Sequence, residues 1–129
     1  MSLDLASAAY VLGAAEGEAL WFADALVMYK ATGVETRGAL TVAEVRAPRG
    51  AGSPRHRHHN EDEAWYVREG ELTFWLGDEE RTVGAGTFVF GPRDVDHRFR
   101  VRKRPTFSSC SHRLASRSSR VPAGGRRPR

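Results

Sequence analysis

The sequence predicts an all-β fold, an antiparallel β-sandwich or barrel formed as one domain. Three observations point there. Short runs rich in aromatic and β-branched residues recur at near-regular spacing, Gly, Pro and Asp signals punctuate them, and no stretch carries a convincing long helical period. At 129 residues the chain is long enough for one hydrophobic core.

Residues 1–19 are rich in Ala and Gly and read as an N-terminal arm. Residues 20–30, bulky at both parities, read as one strand, broken at Thr32 and Gly33. Residues 39–45 form another, ended by a Pro/Gly loop at 47–52. His56 and His58 then fall on an expected strand, facing one side because strand residues two apart point the same way, with Arg57 opposite. A polar turn at 59–62 leads to Glu63 and the apolar run at 64–67. Gly70, between Glu69 and Glu71, sits in a turn whose backbone needs glycine. Residues 71–76 and 79–83 pair around Gly77 and Asp78, residues 87–90 follow Gly86, and residues 97–101 alternate from His97 onward.

Three imidazoles, His56, His58 and His97, and one carboxylate, Glu63, converge from neighbouring strands in this reading. Together they are the donor set of a catalytic transition-metal site with positions left open for substrate or water. One divalent ion is expected, and Fe, Mn, Ni, Co and Zn all accept such ligands. His59 has the opposite parity and reads as a solvated turn. Trp65, Phe74, Phe88 and Phe90 are candidate pocket walls, with plain core packing expected for most of them. Arg55, Arg57 and Arg68 read as solvated strand-edge charges, with the orientation of an acidic substrate as the alternative. Asp94 and Asp96 flank His97 and are candidate hydrogen-bond partners for an imidazole, a turn serving equally for Asp94.

At these residues the sequence resembles the cupins. Their first motif places His-x-His three or four residues before Glu, with Gly six residues beyond; here His56 and His58 are followed by four residues, Glu63, six residues and Gly70. The upstream glycine of the motif falls on Gly50 rather than Gly52. The second motif matches at Gly86, Pro92 and His97, with Asp94 where glycine is usual and Val101 where asparagine is usual. The Asp94 departure is mild, because Asp tolerates positive φ. Covering about residues 38–101, the resemblance implies a single cupin jelly-roll barrel over residues 20–104. It is nearest in kind to small single-domain bacterial cupins grouped with quercetin 2,3-dioxygenase-like proteins. That implies a mononuclear metal-dependent dioxygenase acting on a small enolic or phenolic compound. His56, His58 and His97 would be neutral ligands, and Glu63 a ligand doubling as general base. The alternatives are an isomerase, hydrolase or lyase in which oxygen takes no part, and a non-enzymatic small-molecule-binding module.

The tail departs from this pattern. Residues 98–129 carry eleven Lys/Arg and no Asp/Glu, whereas residues 1–97 carry nine against sixteen, a net of −7. Nucleic-acid binding therefore has a case only through the tail. Residues 105–129 are Ser/Arg-rich where similar cupins have an apolar strand, so no core strand is expected there and the segment reads as disordered. A slip of reading frame near Phe107 accounts for the change, and a genuine basic arm is the rival reading. A barrel missing its C-terminal strand exposes a sheet edge, through which two copies can pair as a homodimer. Cys110 is the only cysteine, so no internal disulfide is expected and a cytoplasmic location fits. No apolar run has transmembrane length, and residues 1–12 lack the basic start of a signal peptide.

Overall fold

The computed structural model describes residues 8–103 and, in a ninth strand, residues 106–113. The strands are β1 (Glu18–Phe22), β2 (Ala25–Ala31), β3 (Leu40–Arg46), β4 (Glu61–Val67), β5 (Glu71–Leu76), β6 (Glu79–Gly84), β7 (Phe88–Gly91), β8 (His97–Lys103) and β9 (Thr106–Arg113). They form a six-stranded sheet ordered β1-β2-β3-β9-β4-β7 and a three-stranded sheet ordered β6-β5-β8. Every pairing is antiparallel. Among the described residues there is no helix, and hence none long and apolar enough to cross a membrane.

The period-two pattern sets what lies between the sheets. On β4, Trp65 and Val67 are buried while Tyr66 is exposed, and on β7 Val89 is buried between exposed Phe88 and Phe90. With Val45 and Ala47, these residues meet Leu72 and Phe74 of β5 and Val101 of β8 in one core. Full burial of each large apolar side chain is worth about 1.5–3 kcal/mol over leaving it in water. The all-β architecture of antiparallel sheets expected from the sequence is the one observed.

Four local expectations are corrected. Residues 20–30 are not one strand but the β1–β2 hairpin, turning at Ala23 and Asp24 with Ala23 at φ 50°. The turn carries no glycine or proline, and Asp24 alone is a weak signal inside so apolar a run. His56 and His58 lie outside the named strands; His56 only exchanges backbone bonds with His97, N to O at 3.1 and 2.9 Å. Strand β4 opens at Glu61, two residues earlier than read. The largest difference is β9, which lies inside the segment expected to hold no strand.

Strand β9 pairs with β3 from Leu40↔His112 to Arg46↔Thr106 and with β4 from Glu61↔Arg113 to Val67↔Phe107. A strand flanked on both sides satisfies its main-chain donors and acceptors whatever its side chains are. That is the physical reason a Ser-rich segment can occupy a central place in the sheet. The strands thus run from Glu18 to Arg113 rather than over 20–104. The rest of the tail, residues 114–129, lies outside the described residues.

Candidate metal centre

His56, His58, Glu63 and His97 come together where the 50–58 segment crosses the start of β8, beside β4. Each offers one donor atom, and the four donors lie within 4.8 Å of one another. Glu63 Oε2 is 3.0 Å from His97 Nε2 and 3.2 Å from His58 Nε2. The His56 ring stands edge-on to both partners, its centroid 5.0 Å from His58 and 4.3 Å from His97.

Backbone geometry explains the convergence. Arg57 is exposed between two half-buried histidines, so the expected alternation survives although the segment is no strand. Gly52 permits the approach: a Cβ there would collide with the carbonyl oxygen of Phe99, and the Ser53 N–H donates to that same oxygen at 3.1 Å. Asp94 takes φ 67° in the turn before β8, the conformation the motif's glycine would adopt, and its N–H donates to the His58 carbonyl at 2.7 Å.

The donor set fits a metal ion. His56 Nδ1 lies 2.8 Å from the Pro54 carbonyl oxygen, and His97 Nδ1 lies 3.4 Å from that of Val95. His58 Nδ1 lies 3.1 Å from Glu61 Oε1. Each Nδ1 faces an acceptor able to hold its proton, so an ion in the cluster would take the Nε2 lone pairs and replace the Nε2 contacts to Glu63. Neutral imidazoles with a carboxylate suit a divalent ion of the first transition series. His97 is 2 % exposed, and Trp65 packs against it at a ring-centroid distance of 5.2 Å.

The surrounding charges fall differently from expectation. Neither Asp94 nor Asp96 reaches a clustered imidazole. Asp94 Oδ1 sits 2.7 Å from Nδ1 of the exposed His59, and Asp96 accepts from Arg55 at 3.0 Å and Arg57 at 2.6 Å. These arginines, Arg57 first, hold the Asp96 carboxyl below its ordinary value, and Asp96 in turn raises that of Arg57. Arg68 reaches Glu44 at 3.1 Å. Arg93 spans both carboxylate oxygens of Asp62, which raises its own proton affinity.

A cavity of about 760 Å³ opens beside the cluster, within the usual size for small-molecule sites. Its wall follows strand parity: Ala25, Val27 and Tyr29 from β2, Thr41, Ala43 and Val45 from β3, Glu61, Glu63 and Trp65 from β4. Of the four aromatic residues singled out in the sequence, only Trp65 lines it; Phe74 is core, and Phe88 and Phe90 face outward at 64 % and 51 % exposed. Those two lie on β7, at the sheet's edge, where the outer face has no covering layer among the described residues. Sequence reading missed Glu61, although its parity with Glu63 places both carboxylates on one face of β4.

A two-sheet antiparallel barrel with a His/Glu cluster beside an apolar cavity is the arrangement of a cupin. The cupin-domain family model matches residues 43–105. Quercetin 2,3-dioxygenase of Bacillus subtilis is 30 % identical over 92 residues, covering 71 % of this chain. The chain spans only 27 % of that relative's length. Among solved structures, KdgF from Halomonas sp. superposes with a TM-score of 0.72 at 18 % identity, covering 84 % of this chain and 97 % of that one. A predicted oxalate decarboxylase from Thermotoga maritima gives 0.75 at 16 % identity, covering 81 % and 100 %. An RmlC-like cupin from Shewanella frigidimarina gives 0.72 at 16 % identity, covering 84 % and 95 %. The chain belongs to the cupins.

Proposed function

We propose that this cupin is a metal-dependent dioxygenase acting on a small enolic or phenolic compound. His56, His58, Glu63 and His97 would hold one divalent transition ion. The observation that carries the reading is that Glu63 belongs both to the four-donor cluster and to the wall of the apolar cavity. A substrate in that cavity therefore meets the donor cluster directly. The relative from Bacillus subtilis, named for a flavonol substrate, supports the same chemistry.

When bound, the ion would supply the Lewis-acid and redox chemistry that lets dioxygen react with an ionised hydroxyl compound. The chain's own residues do the rest. Glu63, with a side chain 15 % exposed, accepts the substrate hydroxyl proton at a carboxylate oxygen. Trp65, Val45 and Phe99 exclude water and give an aromatic substrate flat apolar walls.

Metal analysis by mass spectrometry on untagged protein, followed by oxygen uptake with flavonol-like and enolic compounds, tests this. About one redox-active ion per chain, lost in His58→Ala, with oxygen consumed on substrate addition, is the expected result. Full turnover with zinc under anaerobic conditions would replace the dioxygenase with an isomerase or lyase.

A further inference from the structure

We propose that Glu61 is a positioning residue for His58, fixing the ring so that Nε2 points into the donor cluster. The inference rests on the cluster being a metal site. The three histidines reach their orientations by different means. His97 opens β8, is 2 % exposed and packs against Trp65, so sheet and core hold it. His56 is tied by its two backbone bonds to His97, and its Nδ1 faces the Pro54 carbonyl oxygen at 2.8 Å. His58 has neither support in the same degree. Its side chain is 32 % exposed, it lies outside the named strands, and only its carbonyl is held, by the Asp94 N–H.

The group that faces His58 Nδ1 is Glu61 Oε1, at 3.1 Å. Glu61 is the first residue of β4, and its backbone is paired with Arg113 of β9, so the carboxylate is presented from the sheet. With an ion in the cluster, Glu61 can accept the Nδ1–H while Nε2, which lies 3.2 Å from Glu63 Oε2, gives its lone pair to the metal. A carboxylate acceptor also pushes more electron density onto the ring than a carbonyl does, making His58 the strongest nitrogen donor of the three. Glu61 lines the cavity as well, so it joins the substrate wall to the donor cluster.

Cobalt(II) is the probe, because its visible absorption reports both occupancy and ligand geometry. Wild type, Glu61→Ala and Glu61→Gln are titrated with cobalt(II) in competition with a chelator, and apo-protein melting is followed by circular dichroism. The expected result is one cobalt per wild-type chain, with affinity about 10- to 100-fold weaker and a shifted spectrum in Glu61→Ala. Glu61→Gln, whose amide oxygen still accepts from Nδ1–H, recovers the wild-type spectrum and most of the affinity. Wild-type affinity and spectrum in Glu61→Ala overturn the proposal. So does a Gln variant as impaired as the Ala variant, the mark of a direct ligand. Should Glu61→Ala not fold, Glu61→Gln decides alone: a wild-type spectrum supports the proposal and lost cobalt binding overturns it. No cobalt bound by folded wild type overturns the metal reading itself and this inference with it.

Discussion

Gly91 sits where a side chain has no room. It is buried on β7 opposite Glu63, and a Cβ there would lie 3.0 Å from Cζ3 and 3.2 Å from Cη2 of Trp65. The indole is 2 % exposed and wedged between Phe74 and His97, each at a centroid distance of 5.2 Å, so it cannot give way freely. Gly91→Ala is therefore expected to lower stability by about 1–3 kcal/mol in urea denaturation and to weaken metal binding through the displaced ring. Unchanged stability would show that the indole moves at little cost. Nothing in the sequence marks Gly91 as different from a turn glycine, because its constraint is a neighbour from another strand. His56, His58, Glu63, Gly70 and Asp94 were legible for the opposite reason: spacing and backbone conformation are local properties. Gly70 does take φ 81° and Asp94 φ 67°. Glu61 escaped notice because the start of β4 depends on pairing with β9, whose composition hides it.

Strands show the same division between local and distant causes. The runs at 71–76 and 79–83 were legible because alternation and turn residues act within a hairpin, and the run at 87–90 because its own alternation follows the Gly84–Gly86 turn. The β1–β2 turn and β9 were not: the first lacks a glycine, and the second is specified by the main chains of β3 and β4. Truncation after Lys103 removes the partner of both strands and leaves two unsatisfied edges in the middle of the six-stranded sheet. The truncated chain is expected to aggregate or pair edges, read as a shift to higher mass in size-exclusion chromatography with light scattering. A monodisperse species of unchanged assembly state and full melting temperature would show that β9 contributes little. The β2–β3 connection carries a separate, pH-linked expectation. The Thr32 hydroxyl and the N–H groups of Thr32 and Glu35 bond the Glu35 carboxylate and hold its pKa below the ordinary 4.5. A depressed carboxyl stabilises the folded loop fully above its unfolded pKa and loses that contribution as pH falls through the folded one. Loop amide protection in hydrogen exchange, normalised for intrinsic rate, should hold from pH 7 to 5 and fall progressively at pH values below 4.5, a dependence that Glu35→Gln abolishes.

Across the whole molecule, the donor cluster and the cavity share Glu63, but the far wall of the cavity lies on other strands, so the proposed ion binding and substrate choice can be tested separately. The donors come from the 56–58 segment, β4 and the start of β8, whereas the far wall comes from β2 and β3, where Ala25 and Ala43 keep the space open. Ala43 is 6 % exposed, and its methyl faces a cavity of about 760 Å³ rather than close-packed neighbours on every side. A larger side chain there can grow into empty volume, so Ala43→Phe is expected to cost less than the ~1–3 kcal/mol usual for overpacking a filled core. The ring would fill the region against Trp65 and Val45 that is proposed above for an aromatic substrate. Metal content should therefore stay at the wild-type value while oxygen uptake with the accepted substrate falls at least tenfold and its KM rises. A variant that loses metal and activity together would mean that β3 supports the centre itself. A variant that keeps both would place the substrate elsewhere, and the link between Glu63 and the cavity would then be a matter of packing alone.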